Sequence, residues 1–148
     1  MVQPTIRELL IREEKARKQI IAPLLSNLGL TPGQGQGSIL MKLLQEDRIT
    51  QKELSDRCRL DVATMSRNID KLGDMGFLTR ELNPNCRRSF LICLTEKGRV
   101  EAHKIKDVFH QFDTVICQNI AEEDLAAFRS VLTQICDNLD SYKDSCES

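Results

Sequence analysis

Tryptophan is absent from the chain, tyrosine occurs once and phenylalanine five times. Any core must therefore be mainly aliphatic. There are only two histidines, and no nucleophile–base constellation or cofactor motif is visible, which argues against an enzyme. Gly33, Gly35 and Gly37 lie close together, but no G-K-[ST] follows them, so they are not a phosphate loop. The six cysteines are Cys58, Cys86, Cys93, Cys117, Cys136 and Cys146, and none forms a C-x-x-C pair. Zinc-ribbon and thioredoxin readings therefore fail on spacing. No apolar stretch is long enough to span a bilayer. Arg7 and Glu8 stand near the start with no apolar run behind them, which argues against a signal peptide. The expectation is a cytoplasmic protein with no cofactor, several of whose cysteines are core thiols in a reducing compartment.

What is present suits one compact domain: 148 residues, 41% hydrophobic and 29% charged,. The net charge of −1 gives no general argument for a polyanionic partner, but its distribution does. Residues 57–99 hold nine Lys/Arg against five Asp/Glu, whereas residues 122–148 hold two against seven. Such a layout presents one basic region to a polyanion.

Apolar residues from Ile6 to Leu28 recur at helical spacing, with Pro23 inside the run and Gly29 at its end. Thr31-Pro32-Gly33-Gln34 predicts a second helix start with Thr31 as cap, which puts Gly33, Gly35 and Gly37 inside that helix. There the glycines serve either close helix packing or room for a ligand. Thr50-Gln51-Lys52-Glu53 predicts a capping box for a short helix. A turn at Arg59-Leu60 follows, then a helix capped by Asp61 with Met65, Ile69 and Leu72 on its apolar face. Gly76 ends it. Strand-like runs over 77–82 and 89–94 flank a basic loop, Asn83 to Arg88. Thr95 then caps a long helix with Phe112 and Ile116 on its apolar face. The last helix opens on Glu122, Glu123 and Asp124. Its Leu125, Phe128, Leu132, Ile135 and Leu139 form a seam for another helix, and frayed residues are expected beyond it.

The predicted fold class is mainly α with a small β-hairpin wing: a winged helix-turn-helix lobe plus helices from both termini. Those terminal helices carry more apolar surface than one small wing domain needs, and a symmetric dimer buries it most simply. The dimerisation set is Ile6, Leu9, Leu10, Phe112, Ile116, Leu125, Phe128, Leu132, Ile135 and Leu139.

These residues resemble the MarR (multiple antibiotic resistance regulator) family. The likeness runs from about Leu30 to Gly98. It rests on Gly29-Leu30-Thr31-Pro32, Thr50-Gln51-Lys52-Glu53-Leu54, Leu60-Asp61-Val62-Ala63-Thr64-Met65-Ser66-Arg67, Ile69-Asp70-Lys71-Leu72, Met75-Gly76-Phe77-Leu78, and Arg87-Arg88 leading to Leu94-Thr95-Glu96-Lys97-Gly98. The resemblance implies one MarR-like domain, with 31–98 as the winged helix-turn-helix, 1–30 and 99–143 as dimerisation helices, and 144–148 as a frayed tail. It also implies a homodimer that binds double-stranded DNA at a palindromic operator, usually as a repressor. Release is implied by a small amphipathic or aromatic effector held between the dimerisation helices and the DNA-binding lobe. Two positions depart from the family pattern. Cys86 stands two before Arg88, where an acidic residue is usual, and Ala121 stands where a capping Ser is common.

A recognition helix reads base edges with its N-terminal part. Ala63, Thr64, Ser66 and Arg67 are therefore assigned to the major groove, with Arg67 able to grip a guanine. Lys71 is assigned to phosphate, as are Thr50 and Gln51 at a helix start. Arg87 and Arg88 on the wing are assigned to the minor groove or backbone. Two other readings share the scaffold. Cys86, beside Arg87 and Arg88, is a candidate redox thiol. His103, Asp107 and His110 raise a metal-responsive variant, though ordinary surface histidines are commoner there and no metal site is expected. A third reading is a winged-helix protein–protein adaptor that binds no DNA.

Overall fold

The computed structural model describes residues 1–147. In chain order the elements are α1 (Ile6–Asn27), α2 (Gln36–Gln45), β1 (Ile49–Thr50), α3 (Gln51–Cys58), α4 (Val62–Asp74), β2 (Leu78–Asn83), β3 (Cys86–Leu94), α5 (Glu96–Ile116) and α6 (Glu122–Glu147). This is a mainly helical winged helix-turn-helix. Its wing is a three-stranded antiparallel sheet of order β1-β3-β2.

The described chain divides into two compact units, Met1–Phe109 and the residues from His110 onward. The first contains the core. Ile39, Leu40 and Leu43 of α2, Leu54 of α3, and Met65, Ile69 and Leu72 of α4 are fully or almost fully buried, as are Ile92 of β3 and Ile105 of α5. Each such aliphatic side chain contributes about 1.5–3 kcal/mol by leaving water. Phe77 is the one aromatic side chain in this buried set, as the composition requires.

Local signals place the core helices. Thr50 caps α3 by accepting the Glu53 N–H at 3.1 Å. Asp61 caps α4 by accepting the Thr64 N–H at 2.7 Å, and Gly76 follows α4 in the left-handed region that glycine adopts without strain,. The Thr95 hydroxyl oxygen accepts the Gly98 N–H at 2.9 Å at the start of α5, and donates to the Gly76 carbonyl at 2.6 Å. This ties the entry of α5 to the exit of α4.

Four expectations differ from the structure. The second helix begins at Gln36, not at Thr31–Gln34, because Gly33 and Gly35 take positive φ and make turns. Gln34 forms no capping box. Instead the Gln36 side chain accepts the Thr31 N–H at 2.9 Å. The basic hairpin loop shrinks to Pro84–Asn85, since Asn83 pairs with Cys86 and places Cys86, Arg87 and Arg88 in β3. A third strand, β1, lies against Leu91 and Ile92. Helix α6 continues through Glu147 with no fraying after Asp140, and the expectation for Ser148 lies outside the described residues.

Candidate nucleic-acid interface

The exposed face of α4 begins at its cap. Asp61 Oδ1 accepts the Thr64 N–H and Oδ2 accepts the Thr64 hydroxyl at 3.0 Å. The same hydroxyl oxygen accepts Arg67 Nη2–H at 3.3 Å. These hydrogen bonds, from the Thr64 backbone first, hold the Asp61 carboxyl below its ordinary range. Ala63, Arg67 and Lys71 are exposed, and Thr64 and Ser66 are half-buried. Val62, which sequence reasoning passed over, is 76% exposed at the first helical position. A small apolar side chain there suits a thymine methyl. Asp70 lies on the same exposed surface but is engaged by Arg80 of β2 at 2.6 Å. That pair braces the wing against α4 and partly offsets the acid's charge.

Thr50 and Gln51 are half-buried at the start of α3, and the Thr50 side chain is used in the cap. At the wing tip the Asn83 side-chain oxygen accepts the Asn85 N–H at 3.0 Å, and its amide donates to the Ser89 hydroxyl at 2.9 Å. Arg87 and Arg88 are exposed on the strand just beyond. Cys86 is exposed too, and hydrogen bonding from the Arg88 backbone and then the Ser89 side chain lowers its thiol pKa. Burial does the opposite to Cys58 and Cys93, whose thiols are pushed up. The wing's root is anchored by Asp47, another residue the sequence pattern did not single out. Its carboxylate accepts the Leu94 N–H at 2.9 Å and Arg99 Nη2–H at 3.2 Å.

The first unit also holds a cavity of about 350 Å³. Arg17, Lys18, Ile21, Ala22 and Leu25 of α1 line it, together with residues of the 31–38 segment and Phe109. A Cβ at Gly37 would meet Phe109, Ile105 and Leu25 at ordinary van der Waals distances of 3.4 to 3.7 Å, and Gly37 is itself part of the cavity lining. The expected dimerisation residues are not buried. Ile6, Leu9, Ile116, Phe128 and Leu139 are exposed, and Leu10, Phe112, Leu125, Leu132 and Ile135 are half-buried. Among the described residues no group of three or more His, Cys, Asp or Glu is placed to hold a metal ion, and no helix is long and apolar enough to cross a membrane.

Known proteins share this arrangement. Residues 33–90, which run from the turn before α2 into the wing, match the MarR family model. The chain is 25% identical over 110 residues to the HTH-type transcriptional regulator YdgJ of Bacillus subtilis (strain 168), covering 74% of this chain and 67% of that one. It is 30% identical over 86 residues to the organic hydroperoxide resistance transcriptional regulator of the same organism, where the match covers 58% of this chain and only 57% of the relative. The crystal structure of a MarR transcriptional regulator from Methanosarcina mazei Go1 superposes with a TM-score of 0.77 at 26% identity, covering 90% of this chain and 94% of the other. The family's members are transcriptional regulators, not enzymes. The matched segment contains the helix-turn-helix and most of the wing, so the chain carries a MarR-family domain, the DNA-binding module of a family of transcriptional regulators, within a fold shared with its solved members.

Proposed function

We propose that the protein is a homodimeric repressor that binds a palindromic operator and is released by a small amphipathic effector. The observation that carries the DNA-binding mode is the α4 face. A capped helix start presents Val62, Ala63 and Arg67, with a braced wing bearing Arg87 and Arg88 in the same compact unit. The helix start reads base edges, Lys71 and the start of α3 meet phosphate, and the wing arginines meet the minor groove or backbone. The effector reading rests on the cavity, to which Ile21, Ala22, Leu25, Pro32 and Phe109 give apolar wall while Arg17 and Lys18 supply positive charge. That combination fits a small aromatic or aliphatic acid.

Selection of bound duplex from a random-sequence pool tests the DNA reading. The expected result is an inverted repeat with half-sites about one helical turn apart. A pool with no enrichment would favour the adaptor reading.

A second reading has one observation in its favour, the lowered Cys86 thiol on the exposed wing. Oxidation there would alter the strand that carries Arg87 and Arg88. Peroxide treatment should then weaken duplex binding of the unaltered protein but not of Cys86→Ser. Equal loss in both removes this reading.

A further inference from the structure

The cavity and α4 share a wall. Thr31, Pro32, Gly33, Gly35 and Gln36 contribute lining to the cavity. The same turn is fastened to the helix-turn-helix. Gly35 is packed so closely on Leu60, in the turn before α4, that a Cβ would come within 2.9 Å of a Leu60 methyl. The Gln34 carbonyl accepts the Asn68 side-chain N–H at 2.7 Å. Gln36 is 2% exposed, accepts the Thr31 N–H at 2.9 Å, and donates to Asn68 Oδ1 at 3.1 Å.

Asn68 is 1% exposed and stands in the middle of α4 beside the buried Met65, Ile69 and Leu72. An aliphatic residue at that position would pack without any polar demand. A buried amide is stable only while its partners stay in place, since an orphaned polar group in the interior costs free energy. Apolar contacts tolerate small slips, but directional bonds do not. The position of α4 is therefore keyed to the 31–36 turn, and that turn is cavity wall.

We propose that the Gln36–Asn68 amide pair is the positioning link through which an occupant of the cavity acts on the recognition helix. The inference rests on the reading that the cavity takes a small amphipathic ligand, and adds the route by which it regulates. A ligand that takes a hydrogen bond from Gln36, or displaces the turn, either breaks the pair or moves Asn68 with it. Both outcomes alter the seat of α4. A ligand that touches only the α1 side of the cavity binds without changing DNA affinity, because it does not distinguish the two arrangements.

The test uses the full chain, the duplex recovered by selection, and 8-anilinonaphthalene-1-sulfonate as an amphipathic aromatic anion whose fluorescence reports its own binding. Ala22→Trp, which fills the cavity, should abolish the signal. With the unaltered protein, saturating probe should weaken duplex binding about tenfold, within the usual range of coupling between sites. The paired substitution Gln36→Met with Asn68→Leu replaces both amides by apolar groups of similar size, so that neither faces the other unpaired, although the Thr31 N–H and the Gln34 carbonyl lose their side-chain partners. Whatever its own affinities for probe and duplex, the readout is the ratio of duplex affinities with and without saturating probe, and in this variant the probe should weaken duplex binding less than twofold. Asn68→Ser, a smaller change, should give an intermediate factor if the paired variant does not fold. A merely structural role would lower duplex affinity and leave the probe's effect on it unchanged. The inference is overturned if the variants keep the full tenfold effect, if the probe fails to bind the cavity, or if it binds there and leaves duplex affinity unchanged. Duplex binding without probe checks the underlying reading separately, and its absence overturns both.

Discussion

The Thr64 hydroxyl stands between a carboxylate and a guanidinium, donating to Asp61 and accepting from Arg67. The cap that starts α4 thus also holds its foremost arginine on the exposed face. Replacing Asp61 with Ala should lower the melting temperature by removing the acceptor for the Thr64 N–H. The Asp61 carboxyl is held below its ordinary value, so its stabilisation is complete above the unfolded-state pKa and lost as pH falls through the folded one. The gap in melting temperature between the two proteins should therefore be widest near neutral pH and close on acidification. A gap independent of pH would mean that the ionised carboxylate is not what matters.

Arg67 and Arg88 should differ on DNA. Arg67→Ala removes a candidate bidentate contact to guanine. It should cost about 1–3 kcal/mol per half-site on operator and blur one base preference. Arg88→Ala should weaken operator and scrambled duplex alike and reduce the salt slope by about one per contact. Affinities for both duplexes over a salt series distinguish the two. Operator preference that survives Arg67→Ala would place the reading face elsewhere.

Among the elements, the corner where α4 hands over to β2 and α5 is the tightest. Gly98 lies in the first turn of α5, and a Cβ there would meet the Phe77 carbonyl oxygen at 1.9 Å and its carbon at 2.8 Å. Both are backbone atoms, so no side-chain rotation relieves the clash. Gly98→Ala should destabilise the fold by about 1–3 kcal/mol, as overpacking does, read as a lower denaturant midpoint at unchanged slope. An unchanged midpoint would show that α5 shifts on this corner at negligible cost.

The same elements show what a sequence reveals. Thr50, Asp61, Gly76 and Thr95 mark boundaries through chemistry confined to a few neighbouring residues, so α3, α4 and α5 were legible. The start of α2 was not, because Thr31-Pro32 has the composition of a helix start while Gly33 and Gly35 have the freedom to turn. β1 was hidden for another reason: two residues carry no periodicity, and Ile49–Thr50 is a strand only because β3 is there to pair with it. On α4, the exposed positions follow from the apolar stripe of Met65, Ile69 and Leu72. Asn68 breaks that rule, since its burial depends on Gln36 and Gln34, more than thirty residues away. The Asp47–Arg99 link was unreadable for the same reason, and Asp70–Arg80, ten residues apart, because it joins a helix to a strand whose packing no local pattern specifies.

At the scale of the whole molecule, the unresolved demand is the apolar surface of the terminal helices. Neither α1 nor α6 contains a buried residue. Yet α6 carries Leu125, Phe128, Leu132, Ile135 and Leu139 in alternating steps of three and four, and Phe128 is 58% exposed. Most helical stability in proteins comes from packing an apolar face, since propensity alone is marginal. A lone 26-residue helix with that seam in water would be poorly supported and prone to associate. A second copy of the chain offers the same seam, and a two-fold axis lets both be buried at once. The unaltered protein should therefore sediment as a dimer at micromolar concentration. Its melting temperature should rise with protein concentration, as expected when folding and association are linked. Replacing Leu132 and Ile135 with Asp places charge in the seam, where burial without a partner is costly. That variant should be monomeric or unfolded, and should lose operator affinity because the two half-sites are no longer read together. A well-folded monomer of the unaltered chain, with a melting temperature independent of concentration, would remove the dimer. The palindromic-operator reading would fall with it, while DNA contact by a single α4 and wing would still stand.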